Sequence, residues 1–226
     1  MTEFELVELD LLATHAGVPF PFPLRVPSFG RFTDERDVLL AEAGYALCDR
    51  GLATAHGPAG VAAELVTALC EHRSAVDLVV IGNGTVTGVV AMVHGDQAML
   101  CRQPLHAERA GTVLVTRVAA TALADEFAGL IPNTSAAKAL PITLPPGVVV
   151  DTPTMLVDLF PALTGQGQLG VTRRESGSRP LEVSWLDSPK GRVRVSGDDR
   201  GWVSVNPLRR GELVRLTRDA ATLARA

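Results

Sequence analysis

Two hydrophobic rhythms alternate along the chain, and the change from one to the other marks its elements. From Val76 the sequence reads VDLVVIGNGTVTGVVAMVHGDQAMLCRQ and then, after a short break, AERAGTVLVTRVAATALADEFAGLIP, ending at Pro132. Its β-branched runs are cut at Gly82–Gly84 and at Gly95–Asp96, which is the punctuation of hairpins between antiparallel strands. After Ala119–Ala120 the period changes, and Leu123, Phe127 and Leu130 fall at helical spacing. A meander that ends in a helix has a sheet face to bury against helices. The stretch therefore predicts a platform rather than a set of loops carrying chemistry.

Upstream, Phe4 to Leu12 is a short apolar segment that reads as an edge strand or as the start of a helix. VPFPFPLRVPSFGRFTDERD follows; Pro19, Pro21, Pro23 and Pro27 lack amide donors and hold an extended path. This predicts a strap whose Phe20, Phe22 and Phe29 clamp onto a surface, with an exposed proline-rich recognition segment as the alternative. Thr33, followed by Asp34 and Glu35, starts a helix. Val38, Ala41, Tyr45 and Cys48 are expected to form its buried stripe, and Gly51 its left-handed end. Pro58 opens a second helix in which Val61, Leu65, Leu69 and His72 share a face.

Downstream, residues 133–150 form a connector with Pro141, Pro145 and Pro146. Thr152-Pro153 then starts a short helix carrying Leu156, Leu159, Phe160 and Leu163, which Gly165 and Gly167 are expected to end. QLGVTRRES, PLEVSWLD, GRVRVSG and GWVSVNP make a second antiparallel meander, and Leu213, Leu216, Ala220 and Leu223 mark a final helix. The order strand, turn, strand, helix thus occurs twice, in Val93–Pro132 and in Leu186–Ala226. The pattern predicts an α+β fold with a central antiparallel sheet built from two pseudo-two-fold-related halves, with helices on one face or at both ends. One domain, residues 1–226, would then hold halves of approximately 1–132 and 133–226.

Composition narrows the function classes. Hydrophobic residues at 46% and charged residues at 20% describe a folded chain, and aromatics at 4% leave its core to Val, Leu and Ala. A formal charge of -4 gives no electrostatic reason to expect a nucleic-acid partner. Cys48, Cys70 and Cys101 sit at no metal or disulfide spacing, which suits a reducing compartment. No basic-then-apolar leader opens the sequence, and no apolar run approaches the roughly 18 residues of a membrane span. These features predict a cytoplasmic protein without membrane insertion, with self-association left open.

Candidate chemistry is sparse. His72, His94, Cys101 and His106 match no compact zinc pattern, and HExxH is absent. Gly82-Asn83-Gly84-Thr85 and Gly165-Gln166-Gly167-Gln168 read as glycine turns without the residues of a phosphate loop. No GxSxG elbow is present, and Asp187 and Asp198–Asp199 read as turn residues capping amides. No catalytic residue, cofactor site or metal site is expected. Arg192 and Arg194, by contrast, alternate with Val193 and Val195. They predict a strand with an arginine face, either solvated or recognising an acidic or polar partner. Arg173, Arg174, Arg209, Arg210, Arg215 and Arg218 lie nearby in sequence.

One resemblance runs through the whole order of these segments. LVELDLLATHAGVPFPFPLRVPSFGRFTDERDVLLAEAGYALCDRGL is similar to the start of the EspG family, the cytosolic chaperones of type VII (ESX) secretion. The residues that carry the likeness are PFPL at Pro21–Leu24, VPSFGR at Val26–Arg31, Glu35-Arg36 and RGL at Arg50–Leu52. It continues through VTRVAATALADEFAGLIP, LEVSWLDSPKGRVRV at Leu181–Val195 and GWVSVNP at Gly201–Pro207. The resemblance implies that the helices form two helical subdomains flanking the central sheet. It also implies a non-catalytic role: binding secreted helical proteins of PE/PPE type and keeping them soluble for export. A scaffold or regulatory protein-binding module on the same fold is the alternative. The family's partner-binding loop would correspond to Gly82, Asn83, Gly84 and Thr85, with Phe160, Leu163 and the last helix in the second subdomain. Arg192 and Arg194 complete the expected partner-binding residues. Two departures stand out: Pro132–Leu169 is short for a second helical subdomain, and the GNGT turn is small.

Overall fold

The computed structural model describes residues 1–105, 111–138, 141–146 and 162–226. Its centre is a ten-stranded antiparallel sheet. The strands are β1 (Thr2–Phe4), β4 (Ser74–Gly82), β5 (Thr85–His94), β6 (Gln97–Pro104), β7 (Val113–Ala119), β8 (Ile142–Leu144), β9 (Gly165–Arg173), β10 (Leu181–Ser188), β11 (Gly191–Gly197) and β12 (Val203–Pro207). A separate two-stranded ribbon joins β2 (Ala53–Thr54) to β3 (Gly57–Pro58). The helices are α1 (Leu6–Ala16), α2 (Thr33–Asp49), α3 (Gly60–Glu71), α4 (Leu123–Leu130) and α5 (Arg210–Arg225).

The two meanders lie in one sheet. Read outward from its middle, one side runs β4-β5-β6-β7-β1 and the other β9-β10-β11-β12-β8. The seam between them is the antiparallel pair β4–β9, from Ser74 opposite Arg173 to Gly82 opposite Gly165, with Leu78 facing Leu169 halfway along. Each side runs out into a helix, α4 after β7 and α5 after β12, and the two helices pack on each other. Arg210, at the start of α5, donates to the carbonyl oxygens of Ala128 (2.7 Å) and Ile131 (3.2 Å) at the end of α4. A cation there satisfies carbonyls that the helix itself leaves open.

Alternation along the strands sends side chains to two cores. On the first face Val76, Leu78, Val89, Ala91, Leu169, Val171 and Val183 pack beneath Phe127, Leu213 and Leu216 of α4 and α5. On the second, Val90, Met92, Met99, Cys101 and Val115 pack against Leu9, Leu12, Leu47, Leu65 and Leu69 of α1, α2 and α3. Among the described residues, helices pack on the second face over β4 to β7, and on the other half there is a small cluster of Ala137, Val193 and Val205.

Three sequence expectations are corrected. The stripe Val38, Ala41, Tyr45 and Cys48 of α2 is exposed, not buried; Ala43 and Leu47 face inward with half-buried Leu39 and Leu40. Leu39, Leu40, Ala43 and Leu47 make the inward side the more apolar one, and Arg36 in α2 and Arg50 just beyond it hold it there by reaching back to two buried acids of α1, Asp10 (2.7 Å) and Glu8 (2.8 Å). Gly165 and Gly167 do not end a helix but open β9. A Cβ on Gly167 would come within 2.1 Å of Trp185, its cross-strand partner, so only glycine leaves room for the indole. Asp187, finally, lies in β10 and is buried rather than exposed in a turn. The expected helix over 152–163, with Phe160, lies almost entirely outside the described residues.

Gly167→Ala is expected to cost about 1–3 kcal/mol through overpacking. Combined with Trp185→Leu in a denaturant-melting cycle, the two losses should be less than additive, because the second change removes the obstacle. Strict additivity would show that the indole does not constrain the strand.

Candidate protein-binding groove

Where no described helix covers the second sheet face, the proline strap crosses its edge and makes a groove. Phe22, Pro23, Leu24 and Arg25 form one wall of an open cavity of about 470 Å³. Val79 and Ile81 of β4, Gln166 and Gln168 of β9, and Ser184 and Leu186 of β10 line it, with Val86 and Leu105 beside the strap. Pro23 and Leu24 are buried, whereas Phe22 is 57% exposed and stands open at the rim.

With few amides of its own to offer a sheet, the strap is held by side chains. Gln103 of β6, fully buried, accepts from the Arg25 amide (2.7 Å) and donates to the Arg25 carbonyl (2.9 Å). Further along, Asp10 accepts from the Phe29 amide (2.8 Å) and from both terminal nitrogens of Arg36 (2.7 and 3.0 Å), and Arg36 donates to the Phe29 carbonyl (2.8 Å). Burial pushes the Asp10 carboxyl up, but hydrogen bonds from Arg36 and the Phe29 amide outweigh it and hold the group below its ordinary value.

A polar network borders the groove. Gln168 donates to Glu182 (2.6 Å), Glu182 pairs with Arg179 (3.0 Å), and Arg179 pairs with buried Asp77 (3.2 Å). Burial of Asp77 prevails over the attraction of Arg179, and its carboxyl is held above the usual range.

The residues expected to bind a partner fall into two groups. Gly82, Asn83, Gly84 and Thr85 form the β4–β5 turn; Asn83 (φ 51) and Gly84 (φ 72) both adopt the left-handed backbone of a tight hairpin. Asn83, Gly84 and Thr85 are exposed. The groove reaches this turn through Ile81 and Val86, and Gly82 faces Gly165, two residues beyond exposed Leu163. The turn, Leu163 and the groove therefore share one end of the sheet, while Phe160 lies outside the described residues.

Arg192 and Arg194 are elsewhere. They do lie on one side of β11 with the valines on the other, but their side is that of Trp185, against α5, and not that of the groove. Arg192 is 1% exposed and forms a two-pronged pair with Asp187 (2.6 and 2.7 Å), adds the Pro132 carbonyl (3.0 Å), and stacks on Trp185. It is a structural cation, not a surface one. Arg194 is half-buried, 4.0 Å from Glu212. The groove lining and Gln103 went unnoticed in the sequence; the only signal was the polar alternation of Gln166, Gln168 and Ser184 at positions facing away from the core.

No Cys, His or Lys is among the described residues that line the groove. Burial pushes the Cys101 thiol up to about 12, which leaves it protonated. His72 bonds the Ala68 carbonyl (2.8 Å) and His94 the Glu71 carbonyl (3.1 Å). Among the described residues no three His, Cys, Asp or Glu side chains are grouped to hold a metal. No described helix is long and apolar enough to cross a membrane. What the arrangement can do is bind apolar side chains against a mixed floor.

The profile of the EspG family matches residues 5–218 of this chain. The chain belongs to the EspG family. That family consists of secretion-associated chaperones, not enzymes, and membership makes this an ESX-secretion-associated protein that binds secreted substrates in a general sense. No curated protein matches the chain.

Replacing Asp10 by Asn tests how the strap is anchored. Because folding lowers the carboxyl's pKa, its ionised form stabilises the fold at neutral pH, and that contribution disappears as pH falls through the folded value. In denaturant melts, the stability gap between the native chain and Asp10→Asn should be full near neutrality and should narrow below about pH 4. A gap that stays constant into acid would show that Asp10 is not ionised in its pair with Arg36.

Proposed function

We propose that this EspG protein is a cytoplasmic chaperone of a type VII (ESX) secretion system. It holds a secreted helical protein of PE/PPE type and keeps it soluble until export. The observation that carries this reading is the open, largely apolar groove beneath the strap, on a sheet region that no described helix covers. A helical bundle with an uncovered apolar tip aggregates, and masking it requires only a complementary apolar surface without a covalent step. Phe22 at the rim supplies the aromatic anchor typical of such contacts. Ile81, Val86 and Leu186 supply apolar floor, and Gln166, Gln168 and Ser184 fix orientation through hydrogen bonds. The Gly82–Thr85 turn and Leu163 extend the contact at the end of the sheet.

The test is co-expression with the small helical proteins encoded beside this gene, followed by co-purification and calorimetry. One of them should bind the native chain, and Phe22→Glu, which alters an exposed side chain, should weaken that complex by about 2 kcal/mol or more. Arg192 is unsuitable for this purpose because reversing a buried paired charge would unfold the chain. A complex indifferent to both Phe22→Glu and Leu186→Asp would move the site away from the groove. Failure of every neighbouring helical protein to bind the folded chain would favour the scaffold or regulatory module instead.

A further inference from the structure

The exposed stripe of α2 has the spacing of a helix-packing seam. Val38, Ala41, Tyr45 and Cys48 follow one another at intervals of three, four and three residues, the a and d positions of two consecutive heptads. All four are exposed, Val38 by 58% and Tyr45 by 72%, and none lines a described cavity. From first to last the seam covers about 15 Å of helix axis.

Three of its four flanking positions are acidic. Asp37 takes the position before the first seam residue, Glu42 the one after the second and Asp49 the one after the fourth, while Gly44 takes the remaining flank. These are the e and g positions, whose charges select the partner of a packed helix. Asp34 extends the acidic side by a turn, and all four acids are exposed. The only basic residue in α2 is Arg36, which is turned inward onto Asp10; Arg50, just past its end, is turned inward onto Glu8. The outer face therefore presents an apolar seam between negative edges with no cation of its own.

We infer that the outer face of α2 is a docking site for an amphipathic helix with an apolar seam and Lys or Arg at its flanking positions, on a partner other than the one held in the groove. Charge decides the occupant. A second copy of this chain would set acid against acid, and an anionic lipid surface would be repelled for the same reason, whereas a basic helix neutralises both flanks. The proposal stands apart from the groove reading, since α2 contributes no residue to the groove.

The experiment titrates the isotope-labelled full chain with a synthetic peptide of about three heptads, Leu at a and d and Lys at e and g, and with a twin carrying Glu at e and g. Amide resonances of α2 should shift with the lysine peptide only, and the shifts should weaken as salt is raised. Tyr45→Lys should reduce the affinity about tenfold or more, and Glu42→Lys with Asp49→Lys should transfer the preference to the glutamate peptide. These positions are exposed, so each variant should keep the native spectrum elsewhere. The inference is overturned if α2 does not respond in the folded chain, if both peptides act alike, or if the shifts fall on Ile81 and Leu186 instead. Concentration-dependent α2 shifts without peptide would also overturn it, by showing self-association.

Discussion

Everything in this fold depends on the pairing of β4 with β9. It joins two meanders that would otherwise be separate sheets, each with an unpaired inner edge exposing a row of amides and carbonyls. The same strands carry the side chains that unite the first core, Val76 and Leu78 from one and Leu169 and Val171 from the other, beneath α4 and α5. Main-chain bonding and apolar burial are thus concentrated along one line, and disturbing either half of that line affects both.

The seam also explains why the second face is unequal. The sequence invests its N-terminal segments in covering β4 to β7, with α1 and α3 on the sheet and α2 behind α1. The strap returns across the margin of what is left. Two acid–arginine pairs between α1 and the α2 region set the orientation of that cover, and Asp10 also holds the strap. The shape of the groove is therefore governed partly by charges far from its floor.

Strands, hairpins and terminal helices were legible in the sequence because each is a local rule: β-branched runs, paired residues that accept positive φ, and a period that switches. The inward side of α2 was not legible, because two apolar stripes share the helix, Val38, Ala41, Tyr45 and Cys48 on one side and Leu39, Leu40, Ala43 and Leu47 on the other, and the anchors Asp10 and Glu8 belong to a different helix. Gly165 and Gly167 look like breakers until Trp185 is placed beside them. Asp187 and Arg192 are five residues apart across a turn and read as surface charges. Only when β10 and β11 close do they become partners, buried together. The groove was the least legible feature, since it is made by strands and a strap that are distant in sequence and meet only in the fold.

The proline-rich composition of the strap has a dynamic consequence. Segments woven into a sheet can detach only by breaking a ladder, which costs a large share of the global stability. Between Val18 and Phe32 the strap's polar ties are mostly to side chains: the Gln103 exchange with Arg25, the Asp10 and Arg36 bonds at Ser28 and Phe29, and the Glu35 bond to the Arg31 amide, with the Leu24 amide bonded to the Pro21 carbonyl. Its lifting would leave the β4–β9 seam paired but would withdraw buried Pro23 and Leu24 from their packing, which makes it a sub-global opening. In the proposed chaperone role, a wall that shifts over a fixed floor would let a single chain fit apolar tips of different girth.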